Sequence, residues 1–243
     1  GDAGQPAAFF AGCVMSTALA DIDRATLNVL QRAGFATTNP DSQGCCGALN
    51  AHGGDLPNAL KLAKVNIEAF ERANADYICV NAAGCGAMMK EYAHLLHHEP
   101  EWAERAARIS GSVRDVSELL TAGGRLKHGG PVRVRVAYDA PCHLVHAQRV
   151  AAAPTDLLRA IPELELVPLN ESEVCCGSAG IYNLVEPETS DVVLDRKLLN
   201  IAAAAPDVVA TGNPGCLMQI GAGLLRAGSP TRAVHPVELL DRS

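Results

Sequence analysis

The chain of 243 residues is 48% hydrophobic and 19% charged, a balance that describes a soluble globular protein of one or two domains and excludes a disordered or fibrous one. Its formal net charge is −7, with 20 Lys and Arg scattered against 27 Asp and Glu, so no basic field faces phosphates and nucleic acid is not an expected partner. No stretch approaches the ~18 uninterrupted apolar residues of a membrane span, and Gly1 to Pro6 carry no basic region ahead of an apolar one, so a cytoplasmic location is expected.

In chain order, an apolar run at residues 7–11 reads as a strand and is followed by Cys13. An amphipathic helix and a second strand then lead to Cys45-Cys46-Gly47, a turn by its glycine. From Leu56, apolar residues recur at Ala59, Leu60, Ala63, Ile67 and Phe70, close to the helical period. Residues 77–81 read as the next strand, and Cys85 opens a further helix. Residues 123–131 are rich in Gly and charge and contain no apolar run, as in a linker. Beyond it, strands are expected at 132–138, 164–169 and 208–211, interrupted by Cys142, Cys175-Cys176-Gly177 and Cys216.

The second half repeats the first. Cys13, Cys45, Cys46 and Cys85 recur as Cys142, Cys175, Cys176 and Cys216 at offsets of 129, 130, 130 and 131 residues, the mark of a tandem duplication. Domains are therefore expected at 1–122 and 132–243. Alternation of strand and helix implies parallel sheets, in which ligands gather outside the carboxyl ends of the strands. All eight repeated cysteines fall at such strand-to-helix turns.

Nine cysteines in total, with two adjacent pairs, make a poor disulfide framework in a chain long enough to bury its own core. Reduced thiols that hold a metal fit better. Four thiolates per half suit either a tetrahedral zinc or a [4Fe–4S] cluster. Spacing favours the cluster: structural zinc draws ligands in local Cys-x2-4-Cys pairs, whereas adjacent cysteines point apart and reach different corners of a polynuclear group more easily than one ion. Gly44, Gly47, Gly84, Gly86, Gly177 and Gly215 either make turns only or bring backbone N–H groups against sulfur.

The remaining candidates weigh less. Cys79 has no counterpart in the second half and reads as core. His143 and His146 follow Cys142 by one and four residues, which puts His146 one turn along on the same helix face; local hydrogen bonding is the plainer role. His97 and His98 sit in an acidic, solvent-facing stretch, and His52 and Tyr182 follow the two Cys-Cys-Gly turns. Asp21, Asp55 and Glu188 stand at helix starts, where they match the dipole. A nucleophilic enzyme needs one activated cysteine and not two matched sets of four, and no glycine-rich nucleotide cradle follows a strand.

Ala-Gly-Cys at 11–13, Gln-Gly-Cys-Cys-Gly-Ala at 43–48, Ala-Gly-Cys-Gly-Ala at 83–87 with Lys90-Glu91-Tyr92, Pro141-Cys142-His143, Cys175-Cys176-Gly177-Ser178-Ala179-Gly180 and Asn213-Pro214-Gly215-Cys216 resemble the tandem cysteine-rich CCG domains of the glycolate oxidase iron–sulfur subunit. The resemblance spans essentially the whole chain. It implies a Rossmann-like parallel-sheet cysteine-rich domain in two copies, with cluster ligation by Cys13, Cys45, Cys46, Cys85, Cys142, Cys175, Cys176 and Cys216. It further implies electron relay from a flavin subunit that oxidises glycolate to glyoxylate, with at most peripheral attachment to the inner face of the membrane through the complex. That family also resembles a two-cluster ferredoxin joined to this region, and no Cys-x2-Cys-x2-Cys-x3-Cys-Pro run occurs here. Together with the missing starting Met, this reads as a trimmed piece or as a free-standing protein similar to the lactate-utilisation iron–sulfur protein. In the similar heterodisulfide reductase B subunit, each half carries a further cysteine that supports disulfide cleavage; Met88 and Gln219 stand at those positions here, which argues against that chemistry.

Overall fold

The computed structural model describes residues 4–123, 126–127 and 129–243. The chain divides into two compact units, Gly1–Lys127 and His128–Ser243. Of the segment expected as a linker, Gly124, Arg125 and His128 lie outside the described residues, as do Gly1 to Ala3.

In the first unit β1 (Gln5–Phe10) runs to Cys13, and α1 (Val14–Ala18) and α2 (Ala20–Arg32) return to β2 (Phe35–Thr38). The Cys45-Cys46 turn follows. Then α3 (Ala48–His52) and α4 (Leu56–Ala73) cross to β3 (Tyr77–Val80), and α5 (Ala83–Lys90), α6 (Tyr92–Leu95) and α7 (Ala103–Ser112) lead to β4 (Val113–Asp115) and α8 (Val116–Gly123). The strands pair in parallel in the order β2-β1-β3-β4. Strand β1 sits at the centre because both faces are apolar: Ala7, Ala8, Phe9 and Phe10 are each 1% exposed, and burying a phenylalanine side chain contributes ~1.5–3 kcal/mol.

The second unit repeats this plan. β5 (Arg135–Tyr138), a π-helical turn (His143–Ala147), α9 (Ala152–Arg159), β6 (Glu165–Val167), α10 (Tyr182–Val185), α11 (Pro187–Ala204), β7 (Val208–Ala210), α12 (Pro214–Arg226), β8 (Arg232–Val234) and α13 (Pro236–Arg242) follow in order. Its parallel sheet runs β6-β5-β7-β8. The expected α/β architecture, duplicated in tandem, is therefore present.

Helices α4 and α11 carry the repeat in detail. Each spans 18 residues at an offset of 131, and each ends on a residue with positive φ, Asn74 at 47° and Ala205 at 45°. In α4 the expected positions Ala59, Ala63, Ile67 and Phe70 are buried, and Leu60 is half-buried. Three details differ from expectation. A fourth strand closes each sheet, β4 and β8, three residues each, too short to leave a pattern of alternation. The helix expected after Cys142 is a single π turn. The strands at 132–138 and 164–169 are shortened to β5 and β6.

Candidate metal centres

In each sheet the chain leaves the central strand in one direction first and the other later, so the strand order reverses between β1 and β3, and again between β5 and β7. A crevice opens at the carboxyl ends of such strands. Cys13 follows β1 and N-caps α1, while Cys85 lies in the first turn of α5 after β3. Cys142 follows β5 and caps the π turn, and Cys216 lies in the first turn of α12 after β7. The Cys-Cys turns enter from β2 and β6. All nine cysteines are free thiols.

In the first unit the sulfurs form a string. Cys13 Sγ lies 3.6 Å from Cys45 Sγ, Cys45 interacts with Cys46, and Cys46 with Cys85. Cys13 is exposed and Cys46 buried, with Cys45 and Cys85 between. The second unit repeats the string, Cys142 to Cys175, Cys175 to Cys176, and Cys176 Sγ to Cys216 Sγ at 3.1 Å. Protonated, the thiols satisfy one another. Among the described residues, no group of three or more His, Cys, Asp or Glu stands ready to hold a metal ion as the side chains lie.

Backbone amides point at the sulfurs. Gly47 N–H donates to Cys45 Sγ at 3.5 Å and Gly177 N–H to Cys175 Sγ at 3.4 Å. Amides of Val14, Ala48, His143 and Ser178 likewise favour the ionised forms of Cys13, Cys46, Cys142 and Cys176, as thiolate-binding sites require. The turn needs glycine at Gly47 and Gly177, whose φ values are 86° and 90°. A Cβ on Gly177 would also meet Ser190 O at 2.5 Å. Of the two roles open to these glycines, turn and sulfur contact, these two fill both.

The string decides which thiol ionises first. Hydrogen bonds from Cys142 and then Cys176 hold Cys175 well below the usual thiol range. Its bond to Cys175, then burial, pushes Cys142 up, and Cys176 is raised by Cys175, Cys216 and burial. In the first unit, Cys46 and then burial raise Cys45. Cys46 is raised too, because its bond to Cys85 and its burial outweigh the lowering by Cys45. The raised thiols of Cys13, Cys45, Cys46, Cys142 and Cys176 favour the protonated form, whereas metal ligation takes the thiolate.

Each turn is held from beneath by residues of which the sequence motifs named Gln43, Tyr92 and Asn213, without a role, and left out Asn66 and Lys197. In the first unit, Asn66, fully buried on α4, accepts from Gly44 N–H at 2.9 Å and donates to Cys45 O at 2.9 Å and to the Tyr92 hydroxyl at 3.0 Å. Tyr92 donates to Cys46 O at 2.8 Å, and burial, then the charge of Cys46, keeps its phenol protonated. Gln43 Oε1 accepts from Ala11 N–H at 2.8 Å and Gln43 Nε2 donates to Phe9 O at 3.0 Å, tying the turn to β1. In the second unit Lys197 takes this role, and Asn213 Nδ2 donates to Cys216 Sγ at 3.4 Å. A buried Asn and Lys at matching positions of two repeated helices was the available signal.

The lesser candidates divide as follows. Cys79 lies in the core of β3 with 0% exposure, and burial pushes its thiol up. His143 Nδ1 lies 3.7 Å from Cys142 Sγ, whereas His146 is exposed on the π turn. His52, His97, His98 and Tyr182 are exposed. Asp21 and Glu188 occupy first helical turns, and Asp55 caps α4 by accepting from Asn58 N–H. Among the described residues, no helix is long and apolar enough to cross a membrane.

Comparison with known proteins finds the cysteine-rich domain designated CCG twice, at residues 7–90 and 136–221. The chain is 40% identical to the probable glycolate oxidase iron–sulfur subunit of Bacillus subtilis (strain 168), over 96% of this chain and 53% of that protein. It is 31% identical to lactate utilization protein A of Geobacillus kaustophilus (strain HTA426), over 96% of this chain and 97% of that protein. The chain thus spans about half the length of the first relative and nearly all of the second. Among solved structures, an aspartate racemase homologue from Pyrococcus horikoshii OT3 aligns over 98% of this chain and 96% of its own at 12% identity and a TM-score of 0.32, a likeness too slight to carry an argument.

Proposed function

The chain belongs to the CCG cysteine-rich domain family, and on that premise we propose that it is the iron–sulfur electron-transfer subunit of a flavin-linked 2-hydroxy-acid dehydrogenase, with glycolate, oxidised to glyoxylate on the flavin subunit, as the substrate. The observation that carries this reading is the pair of four-thiol strings at the two switch points, with backbone amides aimed at the sulfurs of Cys13, Cys45, Cys46, Cys142, Cys175 and Cys176. The donor set fits an iron–sulfur cluster in each unit. Soft sulfur ligands suit it, and fixed N–H donors await thiolate charge. Zinc in one unit is the alternative that the donor atoms alone leave open.

When bound, a cluster supplies one-electron uptake and release. The ligands would be Cys13, Cys45, Cys46 and Cys85 in the first unit and Cys142, Cys175, Cys176 and Cys216 in the second. Gly47 and Gly177 bring amide hydrogens to sulfur, and Asn66, Tyr92, Gln43 and Lys197 keep the turns in place. Burial of Cys46, Cys176 and Cys216 excludes water from the inner sulfurs, while the outer edge at Cys13 stays open to a partner. We assign the domains as 1–122 and 132–243, place the protein in the cytoplasm, and assign flavin and substrate to a separate subunit. A ferredoxin-like iron–sulfur region is the expected onward acceptor.

A second reading rests on coverage: the match to lactate utilization protein A runs nearly end to end, which favours lactate as the oxidised acid. Anaerobic mixing with a catalytic amount of a flavin-dependent glycolate dehydrogenase, or of its lactate counterpart, separates the two. Glycolate should bleach the visible absorbance of this chain and lactate should not. The reverse establishes the second reading. Bleaching by dithionite but by neither acid overturns both.

A further inference from the structure

The internal repeat gives two homologous sites, and they are held by different chemistry. Asn66 on α4 and Lys197 on α11 are 131 residues apart, the offset that relates Cys85 to Cys216, and both are buried, at 0% and 1% exposure. Asn66 is neutral and bonds directly to the turn at Gly44 and Cys45. Lys197 brings a charge into the same place.

Three acceptors surround its ammonium group. Lys197 Nζ lies 2.8 Å from Asp139 Oδ1, and donates to Glu171 O at 2.8 Å and Ser172 O at 3.2 Å. Two of its protons go to these carbonyls, and the carboxylate balances its charge. Ser172 O also accepts from Ala140 N–H at 3.1 Å, and the second carboxylate oxygen of Asp139 accepts from Thr211 Oγ1 at 2.9 Å. One buried cation thus joins the segment leading into Cys175, the segment leading into Cys142, and, through Asp139 and Thr211, the end of β7 that leads to Cys216.

Asp139 stands where the first unit has an apolar residue. At the 129-residue offset that relates Cys13 to Cys142 it corresponds to Phe10, the buried last residue of β1. No charged group stands at Phe10, Ala11 or Gly12. A buried ion pair recovers its desolvation only with suitable partners, and this pair, with two carbonyls and a threonine hydroxyl around it, stands at one site of the repeat and has no counterpart at Asn66 and Phe10 of the other.

We infer that Lys197, paired with Asp139, is a positioning residue that sets the geometry and electrostatics of the Cys142, Cys175, Cys176 and Cys216 site, making the two halves unequal redox sites. This inference rests on the electron-transfer reading for its redox part and on geometry alone for its positioning part. A buried charge pair fixes local field and ligand orientation, the levers by which outer residues tune a cluster.

The full chain carrying Asp139→Asn with Lys197→Gln tests it, since a neutral amide pair leaves no buried charge unpaired; Lys197→Met alone gives the stronger disturbance. In protein stripped of metal, mass-spectrometric mapping should show iodoacetamide reacting faster with Cys175 and Cys176 in the double variant, with Cys45 and Cys46 unchanged. In anaerobically loaded protein, a chelator should strip iron from the second site about tenfold faster, and the midpoint potential of that site's EPR signal should move while that of the first site stays. Unchanged alkylation at Cys175 and Cys176 overturns the positioning role, and an unmoved second-site potential overturns the redox inequality. Absence of iron from the unaltered chain defeats the electron-transfer reading instead, and leaves alkylation to decide the positioning role.

Discussion

Residue by residue, the two Cys-Cys-Gly turns show why glycine follows the cysteine pair. Gly177 combines a φ of 90° with a position where a Cβ would lie 2.5 Å from Ser190 O, while at Gly47 the nearest such atom, Ala59 O, is 3.2 Å away. Backbone cannot retreat as a side chain can, and a left-handed alanine is itself strained. Gly177→Ala is expected to destabilise the second unit by roughly 1–3 kcal/mol, and Gly47→Ala the first by less. Chemical denaturation of the two variants checks the ranking; equal midpoints would remove the close contact as its cause. The glycines were legible from sequence because turns and small residues travel together. Their hydrogen bonds to sulfur were not, since donor direction is a property of the folded turn. Asn66 and Lys197 escaped notice for another reason: isolated polar residues on a long helix look like surface until the helix is placed.

Among the elements, the short fourth strand of the first unit, β4, carries a pH dependence. Asp115 ends β4, where its carboxylate accepts from Ser117 N–H at 2.9 Å at the start of α8, beside the Lys90–Glu118 ion pair at 2.9 Å. Burial, only partly offset by the Ser117 bonds, raises its pKa from 3.8 to about 6. A raised folded-state value means that the folded chain holds the proton more tightly than the unfolded one. The stabilisation is therefore fully present below pH 3.8 and lost as pH rises through about 6, after which the contribution is flat. Asp115→Asn keeps an oxygen for the Ser117 amide and removes the titration. Its stability relative to the unaltered chain should therefore improve as pH rises from about 4 to about 7, measured by urea unfolding across that range. A constant difference would contradict the assignment to Asp115. The fourth strands could not be read from sequence, because three residues are too few to show alternation. Helix α4 was plainer: 18 residues give five turns over which the apolar positions repeat.

For the molecule as a whole, the repeat was the most legible feature, because eight cysteines at offsets of 129 to 131 need no structure to be seen. The α/β alternation then predicted parallel sheets, and the cysteines fell where parallel sheets place their ligands. What sequence did not reveal was the inequality of the halves. Matching cysteines suggest two equal sites, yet one is braced by neutral amide and phenol groups and the other by a buried ion pair. That difference sits in residues the cysteine pattern does not include, and it becomes visible only when α4 and α11 are laid on their sheets.

The central claim, that each unit holds an iron–sulfur cluster on its four cysteines, is tested most directly by assaying iron, acid-labile sulfide and zinc per chain after strictly anaerobic purification, with EPR of the dithionite-reduced protein. About four irons and four sulfides per unit are expected for cubane clusters, with Cys46→Ser abolishing the signal of the first unit and Cys176→Ser that of the second. Stoichiometric zinc without sulfide, persisting after anaerobic reconstitution with iron and sulfide, would contradict the claim.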